Sequence, residues 1–253
     1  MRWIGVELAE KPWNLEAAAR LLLGIMATLC LGTIVAGMAN HFMTGWPKAQ
    51  SDFWQIVISA SFLEFPALAW IGWFLRRCHI GWKDAFGLHR KPFTALGFGI
   101  LLGILFVPVA WELQNVSDQL MKLAHMESQE QPMVQQLQQP GMTALETAFM
   151  GMLALALAPA VEELFFRGIL YPAIRRTGHP AAAFWVTSIL FALAHWNAAT
   201  FVPLLVFSAL LIYLYECMGN LLAPIAAHSL FNATNFFVLI FQNQIIHALH
   251  ALH

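Results

Sequence analysis

The chain has 253 residues, of which 59% are hydrophobic and only 11% charged, and its formal net charge is −1 at pH 7. Soluble domains carry about 25% charged residues, so this composition, with a mean hydropathy of +0.64, is that of an integral membrane protein. The near-neutral charge and the lack of a basic stripe exclude a nucleic-acid binder, and closely spaced apolar segments leave no room for a soluble second domain.

Met1 to Glu16 is a mixed-charge, Trp-bearing segment. The apolar run from Ala17 to about Phe42 is too long for a signal-peptide core and predicts an uncleaved first span. Gly45 to Asp52, with Pro47, reads as a loop, and Phe53 to Leu75 as a second span ending at Arg76 and Arg77. Glu64 sits mid-span beside Pro66; an intramembrane glutamate is a functional candidate by default, or a protonated structural residue at a kink. Arg76 to Lys91 sets Arg76, Arg77, Lys83, Arg90 and Lys91 against Asp84 alone. The positive-inside rule makes this loop cytoplasmic, and with it the N-terminus, in a multi-pass protein of the cell membrane.

Thr94 to Trp111 predicts the third span. Leu113 to Gly141 turns Gln-rich and mildly acidic, with Leu113, Val116, Leu120 and Leu123 at helical spacing; it reads as an interfacial amphipathic helix or as a solvated outer loop. Thr143 to Arg176 is one long helical pattern in which Pro159 and Pro172 are expected to interrupt. Ala181 to His195, Phe201 to Glu216 and Leu221 to about Phe241 follow. The expected fold is an all-α, polytopic transmembrane helical bundle of about seven spans, or eight if the first half breaks differently. Residues 1–142 form an N-terminal region without a recognised motif, 143–241 the helical core with the polar motifs, and 242–253 a tail, all in one integrated domain. In that tail His247, His250 and His253 read as a metal tract or as a frayed interfacial end. Cys30, Cys78 and Cys217, odd in number and widely spaced, suggest packing residues rather than a disulfide or CxxC framework.

The unusual stretch is Ala158 to Arg176, which places Glu162, Glu163 and Arg167 in a greasy run. A charge at a membrane helix centre costs roughly 2.5 to 3.5 kcal/mol on translocon scales, so such groups line a protein interior or a functional cavity. Glu163 and Arg167, at i and i+4, share a helix face, whereas Glu162 and Arg167 stand about 140° apart. The arginine therefore pairs with Glu163 and leaves Glu162 free. Burial raises and a nearby cation lowers a carboxylate pKa, which suits Glu162 to general-base work. Phe191 and His195 are also i, i+4, as are His228 and Asn232. Alone, each histidine is ordinarily a packing residue; beside two glutamates, a histidine can help hold a water and a His–Asn pair can donate to an oxyanion.

EELFFR at Glu162–Arg167, FALAH at Phe191–His195 and HSLFN at His228–Asn232 match, in order, EExxxR, FxxxH and HxxxN. In these motifs the chain resembles the CAAX protease and bacteriocin-processing (Abi) family of intramembrane glutamic endopeptidases, related to the Ras-converting CAAX prenyl protease. The resemblance spans about Thr143 to Phe241. It implies that Glu162 activates water, His195 holds and polarises it, and His228 with Asn232 forms the oxyanion hole. Glu163 and Arg167 would support these groups, and Phe191 would pack the site. The scheme needs no cofactor and no metal; the partners it implies are a peptide or protein substrate in or at the membrane and the lipid bilayer.

Two other readings compete. Glu162, His195 and His228 also suit a zinc-dependent hydrolase, although no HExxH helix is present. The same polar groups suit a non-catalytic scaffold or an ion or proton pathway, although no internal repeat favours a transporter. Depth also conflicts with a joint site. Counted from the cytoplasmic face, straight helices put His195 about 20 Å deep, His228 about 10 Å deep and Glu162 near the face.

Overall fold

The computed structural model describes residues 10–125, 132–139 and 141–250, with the side chains of the last helix described as far as Phe241. The first nine residues, most of the N-terminal mixed-charge segment, lie outside the described residues, as do His253 and the side chains of His247 and His250. Among the described residues there are nine helices and no strand. They are α1 (Leu15–Phe42), α2 (Lys48–Arg77), α3 (Trp82–Phe86), α4 (Pro92–Leu123), α5 (Pro132–Leu137), α6 (Ala144–Arg175), α7 (Pro180–Ala194), α8 (Ala198–Met218) and α9 (Leu222–His250). The expected polytopic helical bundle is present. Six helices are long and apolar enough to cross a membrane, and α7 is a seventh, shorter apolar helix. At 15 residues α7 is about 22 Å long, short of a hydrocarbon core of about 30 Å.

Side chains at the helix starts supply acceptors for N–H groups that have no intrahelical partner. Asn14 Oδ1 accepts from Ala17 N at 2.9 Å before α1, and Thr143 with Glu146 forms a capping box on α6. Asn197 Oδ1 accepts from Ala199 N and Thr200 N at 3.0 and 3.2 Å, starting α8. One residue earlier Trp196 takes a positive φ of 48°, which turns the chain out of α7.

Three expectations are corrected. The Gly45–Asp52 loop is shorter than predicted: α2 already starts at Lys48, after Pro47 at the N-cap, and Lys48 pairs with Asp52 one turn on. Nor does the third span stop at Trp111, since α4 runs through Pro108 to Leu123. The stripe of Leu113, Val116, Leu120 and Leu123 is therefore the far end of a span helix, with the last three exposed, rather than a separate interfacial helix. Later in the same segment, α5 is pinned to α2 by Gln136 Nε2 donating to the Ala49 carbonyl at 2.8 Å.

The third correction concerns α6, which neither Pro159 nor Pro172 interrupts. Each proline instead follows a wide π turn, at Leu153–Leu157 and at Phe166–Leu170. Proline lacks an N–H and its ring crowds the carbonyl four residues back; widening the preceding turn relieves that clash while the helix continues. In the first turn Ala158 N–H bonds to the Leu153 carbonyl, so the next carbonyl, Ala154, faces the nitrogen of Pro159, which has no hydrogen to give. Asn232 Nδ2 donates to that Ala154 carbonyl at 2.9 Å and replaces the missing bond. Beside the second turn, the buried Trp13 indole N–H donates to the Ile169 carbonyl at 3.1 Å.

Two apolar clusters hold the bundle. One gathers Trp13, Ile71, Phe74, Phe86, Ile169 and Tyr215, and the other Phe106, Phe191, Phe207, Leu211, Ala223 and Ala227. Phe166 of α6 packs against both. Around them Leu23, Ile34, Ile104, Leu193 and Val206 stay exposed, the apolar outer surface that a lipid-facing helix presents.

Candidate active site

The depth conflict disappears once the helix ends are located. Glu162 lies 13 residues before the end of α6, about 20 Å along its axis, and His195 closes α7 about 22 Å from its start. Glu162 is thus well inside the bundle, not near the end where α6 meets α7. His228 reaches the same level because α9 starts inside the bundle. Leu221 N donates to the Phe86 carbonyl at 3.0 Å, and Asn220, fully buried, donates from Nδ2 to the Arg90 carbonyl at 2.6 Å. Phe86 in turn rests on Gly168 of α6, where an added Cβ would lie 2.5 Å from the ring. The basic loop is folded inward as a shelf, and α9 is seated on it.

The result is a layered polar centre. Glu163 and Arg167 are both fully buried and paired at 2.8 Å. Arg167 Nη2 donates to Ser208 Oγ at 2.7 Å and to the Ser208 carbonyl at 3.2 Å, and the guanidinium stands 4.3 Å from the Phe191 ring centre, a cation–π contact. The same Glu163 Oε1 accepts from His228 Nδ1 at 2.9 Å. Because a carboxylate oxygen only accepts, the His228 proton is on Nδ1, and Nε2 is the nitrogen turned to the other side.

On that other side lies Glu162. Its Oε2 is 3.9 Å from His228 Nε2 and 3.9 Å from His195 Nε2. His195 is oriented the same way: its Nδ1–H donates at 2.9 Å to the Phe191 carbonyl, one of the last carbonyls of α7 that need an outside donor. Both imidazoles thus tie off Nδ1 and aim Nε2 at one carboxylate oxygen. A separation of 3.9 Å exceeds direct hydrogen-bonding reach and suits a shared, bridging water. The side chains of Glu162 and His195 are 29% and 21% exposed, against 3% for His228, so the first two border the open side of the centre.

The three sequence motifs meet as follows. Glu162, His195 and His228 converge on one point; Glu163 and Arg167 lie behind them; Phe191 packs on His195 at 4.9 Å and on His228 at 5.7 Å between ring centres. Asn232 stands one turn further along α9, bonded to the α6 backbone at Ala154. Sequence reasoning missed Ser208, fully buried. Its signal was a lone hydroxyl in the apolar run PLLVFSALL of α8. It also missed the Asn232–Ala154 bond, which depends on a π turn that no spacing reveals. Glu64, buried on α2, lines a cavity together with His195. Among the described residues no group of three His, Cys, Asp or Glu side chains is arranged to hold a metal ion.

No curated protein and no solved structure matches the chain. A family model does: residues 144–234 match the one described as Type II CAAX prenyl endopeptidase Rce1-like. That segment runs from the start of α6 into α9 and contains Glu162, Glu163, Arg167, Phe191, His195, His228 and Asn232. Over residues 144–234 this multi-pass membrane protein is thus similar to the CAAX protease-like family.

Proposed function

We propose that the protein is an endopeptidase that cleaves a peptide bond at or within the membrane with a water activated by Glu162. The observation that carries this reading is the convergence of His195 Nε2 and His228 Nε2 on Glu162 Oε2, at 3.9 Å each. A water in that space donates one hydrogen to Glu162 and the other to His195 Nε2. As Glu162 takes its proton, the water oxygen bonds to the substrate carbonyl carbon and the carbonyl electron pair moves onto oxygen. His228, in its doubly protonated form, donates Nε2–H to that oxygen while its Nδ1–H stays on the Glu163 carboxylate, which orients the ring. Asn232 contributes the amide hydrogen that Ala154 does not use. The tetrahedral intermediate then collapses, the C–N bond breaks, and the proton held by Glu162 passes to the leaving amine. No metal enters these steps. The protein resides in the cell membrane with its N-terminus cytoplasmic, and the prenyl specificity in the family's description is not part of the proposal.

The test is cleavage of a membrane-tethered peptide library by purified protein in detergent, with and without chelator. General-base catalysis contributes about 10²- to 10⁴-fold, so Glu162→Gln is expected to lose at least about 100-fold, and His195→Ala somewhat less. Turnover that collapses in chelator and returns with zinc moves Glu162, His195 and His228 to a ligand role. Unchanged turnover in both variants rejects the site.

A further inference from the structure

The polar centre opens on one side into a cavity of about 660 Å³, within the range of about 300 to 1,000 Å³ usual for ligand sites. His195 and Glu64 line it, and from Glu64 its wall climbs α2 through Ser59, Gln55 and Asp52 to Lys48. Lys48, Asp52, Gln55 and Ser59 are three or four residues apart and share one face of the helix, while Glu64, five residues on, stands about 140° round from Ser59. From Glu64 to Lys48 they span about 24 Å along the axis. These polar groups alternate along the α2 wall with Ile56, Ala60 and Leu63, and Glu64 Oε2 meets no donor among the described residues. α5, held by the Gln136 bond to Ala49, forms the wall beside the first turn of α2.

The direction in which this cavity runs is set by the charges at the two ends of the bundle. Lys11 Nζ donates to the Asp84 carbonyl, and Arg176 Nη1 donates to the carbonyls of Lys11 and Trp13. The N-terminal segment, the 76–91 loop and the 175–179 turn therefore meet at one end. That end carries Lys11, Arg20, the five basic residues of 76–91, Arg175 and Arg176. The end at which the cavity leaves the bundle carries Lys48 and Lys122, the first already neutralised by Asp52. Short basic segments stay on the cytoplasmic side.

We propose that the substrate reaches Glu162 from the non-cytoplasmic side, as an extended polypeptide segment that enters past Lys48 and Asp52 and lies along the α2 wall of the cavity. Backbone groups of an extended chain need hydrogen-bond partners inside a membrane; Gln55 and Ser59 offer them on one face of α2, and Glu64, further round the helix, offers one on the wall that His195 also lines. Glu64 is the innermost of these and positions the chain for attack. This rests on the reading of Glu162 as the base, but the route is tested by a readout that needs no turnover.

Single cysteines at Gln55, Ser59 and Lys83 are introduced after Cys30, Cys78 and Cys217 are replaced by serine, and sealed right-side-out membrane vesicles are treated with a membrane-impermeant maleimide. Gln55→Cys and Ser59→Cys are expected to label in intact vesicles and Lys83→Cys only after permeabilisation. Labelling at Ser59→Cys is expected to slow cleavage at least tenfold relative to the same variant unlabelled, while labelling at Lys83→Cys does not. The proposal is overturned if the cavity cysteines label only from the side that reaches Lys83→Cys, if they label from neither side, or if labelled Ser59→Cys cleaves at its unlabelled rate. Failure of the Glu162 mechanism appears separately, as a Glu162→Gln variant that cleaves like wild type with the same labelling pattern.

Discussion

Arg167→Met keeps the bulk of the arginine stem and removes its charge. The native guanidinium is fully buried and bonds Glu163 Oε1 at 2.8 Å and Ser208 Oγ at 2.7 Å, so its loss strands the Glu163 carboxylate in the interior with His228 as its remaining partner. Two unit charges about 4 Å apart attract by about 4 kcal/mol at an effective dielectric near 20, and breaking a buried pair costs about 3 to 5 kcal/mol. With about 2 to 4 °C per kcal/mol for a chain of this size, thermal unfolding in detergent should fall by about 6 to 20 °C. The double variant Glu163→Gln/Arg167→Met leaves no stranded charge, and the side-chain amide oxygen it places at position 163 still accepts from His228 Nδ1. It should regain at least about 2 kcal/mol over the sum of the single changes, the coupling expected of residues in contact. It should still cleave slowly, because a neutral amide replaces the charge-assisted hydrogen bond by which the Glu163 carboxylate orients His228. Additive losses in the double variant would refute the reasoning, since they would mean that the charges do not hold each other.

Asn232→Ala should cost about 1 to 3 kcal/mol by leaving the Ala154 carbonyl unpaired, and Pro159→Ala, which restores a backbone N–H at that turn, should recover part of it; an equal loss in both backgrounds, read by unfolding in detergent, would remove this role from Asn232. Gly168→Ala places a Cβ 2.5 Å from Phe86 and should destabilise by about 1 to 3 kcal/mol, with relief from Phe86→Leu; a neutral result would show that α9 is not seated through this contact. At the end where the N-terminal segment meets the 76–91 loop, burial and then Arg90 lower the Lys11 ammonium to about 8, against an opposing pull from Asp84. Its unfolded value is higher, so between about 8 and 10.5 the unfolded chain holds a proton that the folded chain does not, and stability rises with pH across that window. Melting temperatures at about pH 7.5 and pH 10 should show that rise in wild type and a smaller one in Lys11→Met, and equal slopes would contradict it.

What was legible in the sequence follows from local rules. Apolar run length announced the long helices, since a backbone in lipid must satisfy its own hydrogen bonds. The pairing of Arg167 with Glu163 rather than Glu162 followed from helical rotation alone, and the structure has that pair at 2.8 Å. Each of the three motifs could be placed on a helix face for the same reason. What the tertiary structure decided was how deep those faces lie. Counting residues from a membrane surface separated Glu162, His195 and His228, because it assumed that every helix starts at a face. α9 instead starts on the inward-folded 76–91 loop, through the Leu221–Phe86 bond and the Gly168 contact. Likewise Pro159 announced a break by its chemistry, but Asn232, 73 positions later in the chain, supplies the missing hydrogen bond and lets α6 continue. Periodicity is written in neighbouring residues and can be read from them, whereas the level at which distant helices meet is set by contacts between residues far apart in the chain.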